Sequence, residues 1–364
     1  MIDNRNMILA VVLSIAILVG FEMFFAKSRP VPSPDSQYQS AQAPSATASK
    51  TAPADSIQQA PDRPSAMPKP DSAVPTIPGL PTIVQATPRL KILKQTPRVK
   101  INTPRLHGSI SLIGGRIDDL TLAEYRESLD PDSDEIVLLV PKGDKQAYYA
   151  EFGWVSGDGQ AMPGPDTLWR AEGKMLSSDT PVTLTWDNGQ GLKFNRTFSI
   201  DDKYMFTVTQ TVANSGSKSA TLYPYGLISR RTTPEVSGFY IIHEGLMGVG
   251  NSTLKEIDYD EMQEQGQVKD TTTGGWLGIT DKYWMSALVP DQKTEVKIRF
   301  YHRKESGNDV YQVDYLSNAV SVAPGTSTVA ENRLFAGAKQ VSIMDGYNEA
   351  LKIDRFDLTI DFGW

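Results

Sequence analysis

Hydrophobic positions along this chain follow two regimes. The first is an apolar run from Met7 to Phe25, interrupted only by Ser14, Gly20 and Glu22. As a helix it would reach about 28 Å, close to the hydrocarbon thickness of a bilayer. Glu22 lies near its end, where a carboxylate reaches the headgroups at far lower cost than at mid-membrane. The run predicts one transmembrane helix and makes residues 1–26 an N-terminal membrane anchor. A cleaved leader would need small residues at both cleavage-defining positions, but Phe24 stands two places before Ala26, and the triplet Ala41-Gln42-Ala43 lies too far downstream. The anchor is therefore expected to be retained. Arg5 and the terminal amine on one side nearly balance Lys27 and Arg29 on the other, so charge alone does not orient it.

The second regime has a period of two. Leu192, Phe194, Phe198 and Ile200 alternate with polar residues, as do Tyr204, Phe206, Val208 and Val212, then Val296, Ile298 and Phe300, and finally Phe356, Leu358, Ile360 and Phe362. Such alternation predicts half-buried antiparallel strands. Val182, Leu184 and Trp186, followed by Asp187-Asn188-Gly189-Gln190-Gly191 and then Leu192, predict a hairpin, because Asn-Gly supplies the positive φ of a tight turn. The continuous run Ile136–Val140, closed by Pro141, predicts a strand buried on both faces. Helical spacing is scarce: the best stretch is Gly337–Leu351, and a weaker one spans Ser252–Gln265. A mainly β domain of this length, without internal repeats, predicts a large antiparallel two-sheet sandwich with a short C-terminal helix rather than one small closed barrel.

Between these regimes, residues 27–87 are dominated by Pro, Ser, Ala, Gln and Asp. So few large apolar side chains cannot offset chain entropy, and the segment is expected to be a disordered tether. The expected organisation is an anchor at 1–26, the tether at 27–87, a β-sandwich domain with its helix at 88–352, and a connector at 353–364.

Composition narrows the chemistry. With 36 Lys+Arg against 43 Asp+Glu the net charge is −7, which argues against a broad nucleic-acid surface. The absence of cysteine excludes disulfides, thiolate metal sites and cysteine nucleophiles. His107, His243 and His302 show no metal-ligand spacing and are expected to be structural or surface residues. Asp130, Asp132 and Asp134 open like a calcium loop, but Glu135 stands where glycine is needed and Pro141 where a bidentate glutamate is needed. Glu256, Asp258, Asp260, Glu261 and Glu264 read as a solvated face rather than an acid/base pair. Gly274-Gly275 has no phosphate-loop lysine after it and is expected to allow close backbone approach at a turn or sheet edge. Tyr148, Tyr149, Phe152, Trp154 and Trp169 could line a ligand cleft, but core packing is the preferred reading. No catalytic, cofactor-binding or metal-ligating residue is assigned, and no cofactor is expected.

Four blocks converge on one family. IDNRNMILAVVLSIAILVGFEMFF, with Arg5-Asn6 before the apolar run, resembles the first transmembrane helix of the YidC membrane-protein insertases. ISLIGGRIDDLTLAEYRE resembles the Gly-Gly strand of that family's periplasmic domain. GGWLGITDKYWMSALVP, with Gly274, Gly275, Trp276, Tyr283 and Pro290, resembles a second block, and Leu334–Trp364 resembles the passage into the insertase core. The resemblance implies a bacterial inner-membrane protein with a cytoplasmic N-terminus and a periplasmic, mutarotase-like β-supersandwich. It also implies an insertase and chaperone role rather than enzymatic activity, with inner-membrane client proteins, the Sec translocon and its accessory subunits, and the lipid bilayer as partners. Family members continue past the Asp-Phe-Gly-Trp block into the membrane helices that carry insertion, whereas this sequence stops at Trp364, so none of its residues is assigned that role. The second reading is an anchored periplasmic carbohydrate-binding or mutarotase-like protein.

Overall fold

The computed structural model describes residues 88–236 and 242–360. The expected anchor at 1–26, the tether at 27–87, Phe362 and Trp364 lie outside the described residues. Among the described residues no helix is long and apolar enough to cross a membrane.

The alternating segments form two sheets. The first runs in the order Gln267–Thr273, Glu295–Glu305, Asn308–Ser317, Ala220–Arg231, Tyr148–Ser156, Arg116–Arg126, Leu106–Ser111, Arg98–Asn102 and Met175–Leu176, with Glu135–Leu139 and Val320–Val322 attached beside this path. Its neighbours are antiparallel except for the short pairing of Arg98–Asn102 with Met175–Leu176. The second runs in the order Thr253–Asp258, Gly245–Gly250, Trp276–Thr280, Trp284–Val289, Ser327–Ala338, Met205–Asn214, Leu192–Ile200, Val182–Asp187 and Arg170–Glu172. One continuous core joins them, with Ile117, Leu120 and Phe152 from the first sheet and Phe198, Phe206 and Phe335 from the second all essentially inaccessible to solvent. Each such side chain contributes roughly 1.5–3 kcal/mol relative to exposure. The mainly antiparallel sandwich is the architecture that the period-two pattern predicts.

The predicted hairpin forms with Asp187 opposite Lys193, and Gly189 takes φ +69° in its turn. Gly275 adopts φ +86° before the strand Trp276–Thr280, where an added Cβ would lie 2.0 Å from the carbonyl oxygen of Val249. The Gly274-Gly275 pair thus provides the close backbone approach expected of it.

Four local expectations are corrected. Ile136–Val140 is not buried on both faces: the strand is Glu135–Leu139, it pairs only with Arg116–Arg126, and Val137 is exposed while Leu138 and Leu139 are buried. Gly337 lies within the last residues of the strand Ser327–Ala338 rather than starting a helix, and its missing Cβ makes room for the Tyr204 ring, whose Cγ would lie 2.2 Å from it. The helix is Val341–Leu351, and of Ser252–Gln265 only Tyr259–Gln265 is helical, since Thr253–Asp258 pairs with Gly245–Gly250. The alternation after Phe356 does not give a strand, because Phe356–Thr359 winds into a 3-10 turn that buries Phe356 against Trp276 and Phe335, with ring centroids 5.6 and 5.8 Å apart.

Candidate functional site

Strands of the first sheet carry a second buried face, opposite the sandwich core. Tyr148–Ser156 is buried at seven consecutive positions, so alternation alone does not describe it. Tyr149, Tyr225, Leu227, Leu316 and Ala147 form a separate small apolar cluster on that outer face. Beside it lies a cleft of about 280 Å³. Its floor includes Arg98, Ser111, Arg116, Asp118, Tyr149, Ser229 and Arg231 from neighbouring strands. Lys142-Gly143 and Pro165-Asp166 approach from loops, Arg303 and Glu305 from a strand end, and Ile92 from the helix Arg89–Gln95.

A buried charge network fixes this floor. The Arg116 guanidinium is 5% exposed and donates to the Pro165 carbonyl at 2.8 Å and to Glu151 Oε2 at 3.4 Å. Tyr225 donates to the other oxygen of Glu151 at 2.9 Å. Arg98 pairs with Asp118, and Arg89 reaches Asp119 at 2.5 Å, pinning the helix to the sheet. Burial raises the Asp118 carboxyl against the opposing pull of Arg98, and burial pushes the Tyr149 hydroxyl up to about 12. The Lys142 ammonium is held below its usual range, first by burial and then by Arg116. The lining carries five cationic side chains, Arg98, Arg116, Lys142, Arg231 and Arg303, against the three carboxylates Asp118, Asp166 and Glu305. Chemically, the lining is rich in hydrogen-bond donors, most of them engaged by neighbouring carboxylates.

The structure disperses most sequence candidates. Tyr148, Phe152, Trp154 and Trp169 pack in the core, as preferred, while Tyr149 lines the cleft. Trp169 lies under the buried Arg196 guanidinium, 4.6 Å from ring centroid to Cζ, and Arg196 donates to the Gly115 carbonyl at 2.8 Å. His107 meets Glu135 at 2.9 Å, His243 meets Asp258 at 3.1 Å, and His302 meets Asp309 at 2.8 Å, three histidine–carboxylate contacts in separate places. Asp130, Asp132 and Asp134 occupy an exposed loop, and Glu256, Asp258, Asp260, Glu261 and Glu264 are all exposed. Among the described residues no group of three His, Cys, Asp or Glu side chains could hold a metal.

Sequence reasoning missed Arg98, Arg116, Asp118 and Lys142. The available signal was Arg116-Ile117-Asp118-Asp119, charges set inside a strand directly after Gly114-Gly115, where the outer face had to be covered to tolerate them.

A family model described as the YidC periplasmic domain matches residues 98–364. Relatives named membrane protein insertase YidC include one from Methylobacterium sp. (strain 4-46) and one from Bradyrhizobium diazoefficiens. Each is 45% identical over 100% of this chain and 60% of its own length. The chain therefore spans about three fifths of the curated relatives it matches. Among solved structures it is similar to a galactose mutarotase related enzyme from Lactobacillus acidophilus, with TM-score 0.47 and 8% identity over 67% of this chain and 100% of that one. No residue role is carried over from that likeness.

Proposed function

The chain belongs to the YidC family, and from that membership we propose that it is the N-terminal and periplasmic portion of a membrane-protein insertase and chaperone. The observation that carries the reading is the match of the whole chain to relatives named as insertases, with the periplasmic-domain match covering every described strand. These relatives are insertases rather than enzymes, and the carbohydrate-binding alternative is not favoured.

In this reading the protein resides in the bacterial inner membrane. Residues 1–26 anchor it with the N-terminus in the cytoplasm, 27–87 form a tether, 88–352 form the periplasmic sandwich with its helix, and 353–364 connect toward the bilayer. Its partners are inner-membrane client proteins and the Sec translocon with its accessory subunits. The sandwich offers sheet faces and edges as surfaces for these partners.

Photo-crosslinking from the sandwich surface in living cells tests the proposal. Exposed Leu168, Tyr283 and Val329 are suitable probe positions because substitution there leaves the core intact. Adducts with nascent inner-membrane proteins or with periplasmic parts of the Sec machinery are expected. Adducts confined to soluble periplasmic proteins would overturn it.

A further inference from the structure

The geometry points to the outer-face cleft as a binding site for a compact oxyanion-bearing molecule, whose carboxylate or phosphate group is held by Lys142 and the guanidinium of Arg116. This inference stands apart from the insertase reading, since it rests only on the cleft. The chain is acidic overall, with net charge −7, but the cleft lining carries five cations against three carboxylates. Arg98 is paired with Asp118, one end of Arg116 faces Glu151 at 3.4 Å, and Glu305 lies 3.0 Å from Arg303 and 4.0 Å from Arg231. Lys142 is different: it is partly buried, and among the described residues no carboxylate lies within ion-pair distance of its ammonium, although Glu151, Asp166 and Glu305 act on it from farther away.

Glu151, Asp166 and Glu305 favour this ammonium from beyond contact distance, but burial and Arg116 outweigh them, and a partly buried ammonium without a contacting partner is costly unless an anion is brought to it. The backbone holds Lys142 in position. Asp144 closes the turn through its amide on the Pro141 carbonyl at 3.1 Å, and its carboxylate accepts from the Gln146 amide at 2.9 Å. Arg116 cannot retract, because Pro165 and Glu151 hold one end of its guanidinium while its Nε is buried without a partner. The Arg231 Nε is a second orphaned donor in the same lining. A guanidinium beside an ammonium matches the planar or tetrahedral oxygens of carboxylate and phosphate. The volume, about 280 Å³, lies just below the roughly 300 Å³ at which pockets for drug-sized ligands begin, which suits a compact ligand. Ile92, Ile113 and Val310 supply an apolar wall for its body.

Isothermal titration of the full chain, reconstituted in phosphatidylcholine nanodiscs, with inorganic phosphate, glucuronate and neutral glucose tests the site. Phosphate or glucuronate is expected to bind and glucose not to bind. Lys142→Met should weaken anion binding about tenfold or more, while Lys142→Arg should retain it. A melting curve of Lys142→Met checks folding, and Lys142→Arg preserves the charge should the methionine variant misfold. Repeating the titration in nanodiscs containing phosphatidylglycerol separates the sources: undiminished binding assigns the cleft to a soluble anion, and competition assigns it to a lipid head group. Failure of both anions to bind, equal binding of glucose, or unchanged affinity in a folded Lys142→Met protein would overturn the inference.

Discussion

Tyr347, in the helix Val341–Leu351, donates a 2.7 Å hydrogen bond to Asp201 Oδ2 at the turn joining the strands Leu192–Ile200 and Met205–Asn214. The same hydroxyl oxygen accepts from the Tyr204 amide at 3.1 Å. A helix near the domain's C-terminal end is thereby tied to the second sheet by a polar clamp as well as by the packing of Tyr347 on Phe335 and Phe356. Burial, reinforced by Asp201, raises the Tyr347 hydroxyl far above the usual tyrosine range, so it stays protonated and donating at physiological pH.

Removing that hydroxyl isolates the clamp. Tyr347→Phe keeps the ring contacts but leaves the Tyr204 amide and the Asp201 carboxylate without this partner. It should cost about 1–3 kcal/mol, read as a lower urea midpoint at unchanged slope. An unchanged midpoint would show that packing alone docks the helix.

Gly275 sets a steric limit. Gly275→Ala places a methyl group 2.0 Å from the Val249 carbonyl oxygen in a backbone that L residues avoid, so the strands Gly245–Gly250 and Trp276–Thr280 must separate. A loss of about 2–4 kcal/mol is expected in chemical denaturation. The exposed turn residue Gly189 has no atom near its missing Cβ and provides a control for positive φ alone, with about 1 kcal/mol expected.

Lys142 makes the opposite prediction. Burial and Arg116 disfavour its ammonium more than Glu151, Asp166 and Glu305 favour it, so Lys142→Met should hold or raise stability, by about 0.5–2 kcal/mol at neutral pH. The sign with pH follows from a folded pKa below the unfolded one. The unfolded chain binds the proton more readily, and the penalty is complete below the folded value. It shrinks as pH rises from there toward the ordinary lysine value near 10.4. The difference in melting temperature between parent and variant should therefore narrow at alkaline pH, and a constant difference would argue against a desolvated ammonium.

Acid stability should report the Lys255–Asp270 pair, 2.5 Å apart, which links an edge strand of one sheet to an edge strand of the other. The Lys255 ammonium, followed by the Thr271 amide, holds the Asp270 carboxyl below the usual carboxylate range. A depressed carboxylate contributes stability above its unfolded pKa, near 3.9, and loses it as pH falls through the folded value. Asp270→Asn should flatten that part of the acid limb of the unfolding curve, and an identical limb would remove the pair from the account.

The residues show why part of this was readable in advance. Leu192, Phe194, Phe198 and Ile200 each meet the core on one face of a strand, so a period of two carried both element and burial. Arg196 shares that face and is buried too, a charge that periodicity counts as polar but that Trp169 and the Gly115 carbonyl accommodate. The cleft was harder to read because its strands are covered on both faces, and because Lys142, Arg116 and Arg231 arrive from segments distant in the chain. The alternation after Phe356 misled for a different reason: ring packing of Phe356 with Trp276 and Phe335 overrode the local strand preference.

The most direct measurement of the central claim puts this chain in place of the corresponding region of a relative. A chimera would carry this chain followed by the remaining portion of the Methylobacterium relative, of which the present chain matches 60%. It would be expressed in cells depleted of their own insertase and scored for growth and for insertion of a pulse-labelled inner-membrane protein. The insertase account predicts that the chimera restores both. A chimera that accumulates in the membrane at the level of the intact relative, with its sandwich resistant to protease, and yet supports neither growth nor insertion would contradict it.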